Sequence, residues 1–477
     1  MPAHPHIVVV MADQFRASAL GLLGEDPVTT PHLDRLAREG RLVRHAVSCY
    51  PVCSPHRAMF LTGLRPADNG VTLNLNSETA TDGVGLRDDL PTWASILRSH
   101  GYRTGYIGKW HLEQPTPEDE IHGEGRRSDG KVWDAWSPPA RRFGFDFWYS
   151  YGAADRHLAP HYWRGDAERG ERIDVEQWSA EHEIDVAIDF IRTTRTDDAP
   201  FALMVSLNPP HQPFDQVPDE YRALYADRDS AQLLTRPNVP RDASPGSDAA
   251  VAVDQAAGIA ADYFAAVSGV DAQIGRLVAA LDALREEAGS SAPSPVLMFT
   301  SDHGMQLGSQ GLLYKNVGYE ESMRIPLIVH APGTIPEGES GELIDSLGFA
   351  PTLLGLAGLD RAIPSAMAGR DSSGALRGTT PEAADPEALY YRYPSRGDDS
   401  SARGIRTRCD KLIATWDPSA GLRLEYFDLT DDPYELRSLP DAEGAARLAD
   451  RLMTVLHDVG DDFAGLAALR EAFSAAS

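Results

Sequence analysis

A chain of 477 residues, 42% apolar and 24% charged, has the make-up of an ordinary globular enzyme or binding protein. Its length suits about three domains, or one large α/β core with an appendage. With 44 basic against 71 acidic side chains the net charge is −27, which disfavours nucleic acid and anionic membrane as partners.

The three cysteines, Cys49, Cys53 and Cys409, are too few for a disulfide framework and fit a reducing compartment. Residues 1–6 lead straight into the apolar run Ile7–Met11, with no secretory leader visible. No apolar run approaches about 18 residues. The expected location is the cytoplasm, off the membrane.

Ile7–Met11 has the unbroken β-branched pattern of a strand buried on both faces, and Asp13-Gln14 stands at its carboxyl end. Thr30–Gly40 predicts a helix with Thr30 as cap, Pro31 at the first position and Gly40 as stop. The run Leu42, Val43, Ala46, Val47 precedes a helix around Ala58–Leu64. Asp89–His100 is a further helix, followed by a strand Arg103–Gly108 that ends at Lys109-Trp110-His111. Glu181–Arg192 is an amphipathic helix, and the strand Phe201–Leu207 ends at Asn208-Pro209-Pro210-His211.

Residues 227–250 carry no periodicity and predict a surface loop, whereas Ala256–Glu287 is one long helix. The strand Val296–Thr300 ends at Ser301-Asp302-His303-Gly304, and Ile325–His330 is another strand. Past residue 385 the pattern changes to short β-like runs, 389–393, 402–407, 411–416 and 422–427, then a helix over 442–456. The expected fold is α/β: a large, mostly parallel sheet sandwiched by helices over residues 1–380. A smaller antiparallel sheet with a helix is expected over 381–477.

Asp13, Lys109, His111, His211, Asp302 and His303 all follow predicted strands. In open α/β sheets ligands bind beyond the carboxyl ends of the strands, so four strand ends converge on one polar site. Asp13, Gln14, Asp302 and His303 offer mainly hard oxygen donors with one imidazole, a set suited to Ca²⁺, Mg²⁺ or Mn²⁺.

Cys53 falls at a strand-to-helix junction in C-Y-P-V-C-S-P-H-R-A-M-F-L-T-G, Cys49–Gly63. A helix N-terminus and Arg57 one turn on lower a thiol's pKa and favour an anion there. Alone, a cysteine beside a proline turn is better explained as a small buried residue.

The spacing Cys53-Ser54-Pro55-His56-Arg57, with G-K-W-H-L (Gly108–Leu112), N-P-P-H-x-P-F (Asn208–Phe214) and Lys315 in G-S-Q-G-L-L-Y-K-N, resembles the formylglycine-dependent sulfatases of the alkaline phosphatase superfamily. The resemblance covers about residues 6–112 and 200–360. It implies that a maturation enzyme oxidises Cys53 to an aldehyde whose hydrate is the nucleophile. One divalent metal would be held by Asp13, Gln14, residue 53, Asp302 and His303, with Ca²⁺ the family's usual ion and Gln14 a departure from the commoner acid.

The resemblance further implies that Arg57 holds the hydrate and that Lys109 and Lys315 neutralise the sulfate. His211 would protonate the leaving alcohol, and His111 would take the proton that expels sulfate. Asn74 joins the substrate-binding residues. The implied activity is hydrolysis of a sulfuric ester, on a small sulfated carbohydrate or with arylsulfatase- or choline-sulfatase-like specificity. The alternatives are a phosphonate monoester or phosphodiester hydrolase of the same superfamily and a non-catalytic binder of sulfated ligands. A homo-oligomer is compatible with all three.

Residues 113–165 hold Trp133, Trp136, Trp148 and Trp163 among many arginines and histidines. Such a segment is either an insertion packed on the sheet or a specificity lid, with aromatic faces for sugar rings and Arg forks for anionic groups. Arg156 and His157, then His161, are the expected substrate contacts.

Overall fold

The computed structural model describes residues 4–194, 199–289 and 292–474. Its main sheet is built from β1 (Ile7–Ala12), β2 (Arg41–Val47), β3 (Arg103–Lys109), β4 (Phe147–Tyr151), β5 (His161–Arg164), β6 (Ile173–Asp174), β7 (Phe201–Leu207), β8 (Val296–Ser301), β9 (Leu327–His330) and β10 (Gly338–Asp345). The strand order is β10-β2-β9-β8-β1-β7-β3-β4-β5-β6. In the centre β8, β1, β7 and β3 are neighbours and mutually parallel. Their carboxyl ends, which carry Asp302, Asp13, Asn208 and Lys109, therefore lie side by side at about 4.8 Å per strand.

β1 explains why the centre of the sheet is fixed. All six of its residues are fully buried, alternately feeding the two apolar layers, Val8 and Val10 on one side and Ile7, Val9 and Met11 on the other. Each such side chain contributes about 1.5–3 kcal/mol on burial. A slip of one residue would exchange the two layers and move the Asp13 carboxylate out of the site.

Helices cover both faces: α1 (Pro31–Glu39), α2 (Cys53–Thr62), α3 (Trp93–Ser99), α4 (Ser179–Thr194), α5 (Asp248–Ala288) and α6 (Phe349–Leu356). Helix α5 starts eight residues before the expected Ala256 because Ser247 caps it, its Oγ accepting from the Ala250 N–H. By length and composition α5 could cross a membrane, but 78% of its apolar window is buried inside the protein. Thr30 does not cap α1 with its side chain. The N–H groups of Leu33 and His32 donate instead to Asp271 of α5, at 2.7 and 3.2 Å.

The expected mostly parallel sheet is present, with β9, β5 and β6 antiparallel to their neighbours. The polar strand β10 and most of the 113–180 segment were not legible as sheet. β4 extends the sheet beside β3, and Trp148 and Trp163 are buried core residues and not lid surfaces.

The C-terminal sheet, β11 (Ala388–Arg392), β12 (Ser401–Arg406), β13 (Asp410–Asp417) and β14 (Gly421–Asp428), is an antiparallel meander backed by α7 (Glu443–Asp458). It grips the segment after Lys315. A Cβ on Gly318 would stand 2.6 Å from Ile413 Cδ1. Tyr319 donates to Glu425 at 2.7 Å, and the buried Glu320 carboxylate pairs with Arg406 at 2.9 Å and Lys411 at 3.2 Å. The N–H of Glu320 donates to Glu435 at 2.7 Å.

Candidate active site

Cys53 is the first residue of α2 and fully buried, with Gly63 closing the helix in a left-handed turn. Asn74 anchors the helix start, its Oδ1 accepting from the Ser54 N–H at 2.9 Å. It thus braces the helix that begins at Cys53. His56, the variable position of the motif, is buried between the hydroxyls of Ser48 and Ser346, each 2.9 Å from Nδ1.

Around Cys53 Sγ stand His303 Nε2 at 3.3 Å, Lys315 Nζ at 3.4 Å and Asp13 Oδ1 at 3.7 Å. Donor atoms of Asp13, Cys53, Asp302 and His303 all lie within 4.8 Å of one another, a set able to hold one divalent cation. His303 is oriented for ligation: its Nδ1 faces the Gly304 carbonyl at 3.0 Å, which leaves Nε2 for a metal. Burial and Asp13 push the Asp302 carboxyl up to about 6, against His303 and Arg57. Each buried carboxylate gives one oxygen to Arg57 and keeps the other toward the cluster, which suits a cation there. Gln14 lies beside the cluster with a left-handed backbone, φ 66°, but its Oε1 accepts from Lys315 at 2.9 Å.

Arg57 fixes the framework. Its Nη2 donates to Asp13 Oδ2 at 3.0 Å and its Nε to Asp302 Oδ2 at 3.1 Å. Nη1 donates to the Lys109 carbonyl at 2.9 Å and to Ser206 Oγ at 2.6 Å. Lys109 Nζ is shared between Asp13 Oδ2 at 2.7 Å and Asn208 Oδ1 at 3.0 Å. Burial opposes ionisation of Asp13, yet Lys109, His211, Lys315 and Arg57 together hold its carboxyl well below the usual range. Burial and Asp13 likewise push the Cys53 thiol up, and Lys315, Lys109 and His303 outweigh them, leaving it well below its ordinary value.

The two remaining histidines present different nitrogens. His111, also left-handed at φ 52°, has its Nε2 3.1 Å from the Leu75 carbonyl, while its buried Nδ1 has no hydrogen-bond partner among the described residues. His111 Nε2–H therefore donates to the Leu75 carbonyl, and Nδ1 is left as a base. His211 has its Nδ1 2.9 Å from the Gln212 carbonyl and 3.6 Å from Asp155 Oδ1. Burial, Lys315 and Lys109 lower its basicity, but Asp13 and Asp155 win and raise it.

The three expected substrate contacts separate. Arg156 is half-buried and makes no hydrogen bond or ion pair recorded among the described residues. His157 is buried, with Nε2 3.0 Å from the His211 carbonyl, so it supports the loop carrying that residue. His161 is fully buried with Nε2 2.7 Å from Asp134 Oδ2. Asp134 also accepts from the N–H groups of Gly152 and Ala153, so His161 braces a loop and does not reach open space. Ser206, Asn208 and Asp155 went unassigned in the sequence. A polar residue at the end of a buried strand was the available signal for the first two.

A family model described as sulfatase matches residues 5–359, and one described as N-sulphoglucosamine sulphohydrolase, C-terminal, matches 308–462. An endo-4-O-sulfatase of Bacteroides thetaiotaomicron is 34% identical over 96% of this chain and 93% of its own length. An ulvan-active sulfatase of Formosa agariphila is 32% identical over 97% of this chain and 83% of its own. The crystal structure of a Bacteroides fragilis protein assigned to the sulfatases superposes with a TM-score of 0.88 at 35% identity, over 98% of both chains. The chain belongs to the sulfatase family of the alkaline phosphatase superfamily, enzymes that hydrolyse sulfuric esters.

Proposed function

We propose that this sulfatase uses formylglycine at position 53 and one divalent metal to cleave a sulfate ester from a small sulfated carbohydrate. The observation that carries the reading is the position of Cys53: its Sγ is within 3.7 Å of His303, Lys315 and Asp13 at a helix N-terminus. Asp13, Asp302, His303 and residue 53 would hold the metal, with Gln14 at the rim. When bound, the metal supplies positive charge for the nucleophile and the sulfuryl oxygens. The mixed oxygen and imidazole donor set fits such an ion, and Ca²⁺ is the favoured one.

The chain's own groups divide the remaining work. Oxidised by a separate maturation enzyme and hydrated, residue 53 offers a hydroxyl to attack sulfur. Arg57, tied to both carboxylates, keeps that hydroxyl aligned. Lys109 and Lys315 meet charge developing on the sulfuryl oxygens, the term that usually contributes most to such catalysis. His211 donates a proton to the departing oxygen. His111 accepts one at Nδ1 in the second half of the reaction, so one difficult displacement becomes two easier steps.

Support for a carbohydrate comes from the rim. The partly buried Trp133 ring lies 5.9 Å from the His111 ring, and the neighbour of Lys315, Tyr314, is 48% exposed. Tyr314 offers a flat apolar face to a sugar ring, and Trp133 offers the part of its ring that Arg127 and His111 leave open. The endo-4-O-sulfatase and ulvan-active relatives point the same way.

The test is peptide mass spectrometry at residue 53, followed by sulfate release measured beside phosphonate monoester and phosphodiester hydrolysis on the same sample. Formylglycine with a sulfate-ester kcat/KM above the others is the expected result. An active sample with wholly unmodified Cys53 would overturn it.

A further inference from the structure

Two residues of the 113–180 segment, Arg127 and Asp155, take no part in the steps above, yet they stand behind both histidines. Asp155 Oδ2 pairs with Arg127 Nη1 at 2.6 Å. Glu124 closes the ring: one oxygen accepts from Arg127 Nε at 2.9 Å and the other from the Asp155 N–H at 2.9 Å. Arg127 also donates to the Ala153 carbonyl, and its guanidinium lies 5.6 Å from the Trp133 ring, which packs on His111. The second oxygen of Asp155 is different. Oδ1 is buried, makes no hydrogen bond among the described residues, and faces His211 Nδ1 at 3.6 Å.

We propose that Asp155, locked by Arg127 and Glu124, is the positioning residue that makes His211 the acid of the reaction. The proposal rests on the reading of His211 as proton donor given above. Because the Gln212 carbonyl holds a proton on Nδ1, His211 has a second proton to give from Nε2 only as the imidazolium. Burial, Lys315 and Lys109 oppose that doubly protonated form; Asp13 and the Asp155 carboxylate beside Nδ1 together offset them. The Gln212 carbonyl and Asp155 Oδ1 together keep a proton on Nδ1, so the other proton points away from them. As the S–O bond breaks, its electron pair stays on the leaving oxygen and the Nε2 proton moves to that oxygen. His211 becomes neutral with hydrogen on Nδ1, and Asp155 stays ionised throughout, as an aspartate behind a catalytic histidine does.

The ion pair with Arg127 is what this arrangement needs. A free Asp155 could rotate toward solvent, since its side chain is 14% exposed. With one oxygen held by a guanidinium fork that Glu124 itself holds, the other has one orientation.

A purely structural role and a positioning role differ in how loss depends on the leaving group. A good leaving group such as 4-nitrophenolate departs without a proton, whereas an alkoxide does not. For Asp155→Asn the expected kcat/KM on an alkyl or sugar sulfate falls about 10- to 100-fold, part of the roughly 10²–10⁴ that acid catalysis contributes. On 4-nitrophenyl sulfate the loss is about tenfold smaller, so the leaving-group slope steepens. Arg127→Met gives the same signature more weakly, and carries the comparison should Asp155→Asn fail to fold. Asp155→Glu recovers part of the slope. His211→Ala is measured in parallel. If it shows the leaving-group signature and Asp155→Asn and Arg127→Met lose evenly across the series, the positioning proposal alone is overturned. If His211→Ala itself loses evenly, the acid assignment falls and the proposal with it.

Discussion

Cys53 Sγ and His303 Nε2 lie 3.3 Å apart although 250 residues separate them in the chain. Position 53 therefore sits inside the donor cluster and not beside it. Cys53→Ala should retain the native far-UV spectrum and lose turnover by on the order of 10⁴-fold or more, as nucleophile removal does elsewhere. Activity of the variant within tenfold of that of fully matured wild type would remove residue 53 from the chemistry.

Asp302 gives one oxygen toward the cluster and is held from behind by Arg57. Asp302→Ala should weaken divalent-metal binding by at least about 100-fold and abolish turnover with it. Metal content by mass spectrometry after dialysis, set beside activity, checks the pairing. A variant that keeps one metal per chain would contradict the assignment.

Lys109 Nζ is divided between Asp13 and Asn208. Losing Lys109 itself, as Lys109→Ala, should cost about 10²–10³-fold in kcat, the scale for one charge-stabilising donor. Asn208→Ala should cost about tenfold, with KM changed less, because the ammonium is then drawn onto Asp13 alone. Steady-state kinetics of both variants decide the order, and a larger loss for Asn208→Ala would refute it.

Asp271 gives a pH signature in stability, independent of catalysis. Burial, with a smaller push from Asp34, raises its carboxyl from 3.8 to about 7, against the two N–H groups of α1 that it accepts. The folded state therefore binds a proton more readily than the unfolded state. The associated stability is fully present below about pH 4 and is lost as pH rises through about 7. Between pH 5.5 and 8 the wild-type melting temperature should fall by several degrees more than that of Asp271→Asn. Equal pH responses in the two proteins would rule this out.

Of the three substrate contacts expected from the sequence, Arg156 is the one whose side chain has no partner among the described residues. Arg156→Ala should lower kcat/KM on an anionic sugar sulfate about 10- to 100-fold, the range for one charge-assisted hydrogen bond. A plain aryl sulfate should lose little. Equal loss on both, or none on either, would mean that Arg156 does not read the sugar.

What was legible in the sequence is what strand periodicity and strand ends encode. The unbroken run Ile7–Met11 predicts a central strand, and Asp13, Lys109 and Asp302 sit where three of the four central parallel strands finish. The C-terminal meander was legible because each run is bounded by turn residues. Three features were not. Strand β10, G-E-S-G-E-L-I-D, lies at the sheet edge, where polar residues and glycines hide a strand behind a turn-like composition. The helix cap supplied by Asp271 is distant in sequence by more than 200 residues, so no local pattern reveals it. His161 reads as a ligand-facing histidine among arginines and tryptophans, and only the fold brings Asp134 onto its ring.

The grip of the C-terminal sheet on Gly318, Tyr319 and Glu320 has a consequence for anyone recombining these enzymes. The lysine that faces Cys53 is carried by one sheet's loop and braced by the other sheet's side chains. A chimaera that exchanges residues 381–477 at the apparent boundary would break Glu320 from Arg406, Lys411 and Glu435 while leaving every catalytic residue in its original parent. Segment 315–325 and the C-terminal sheet therefore form one unit of exchange, and crossover points belong before Lys315.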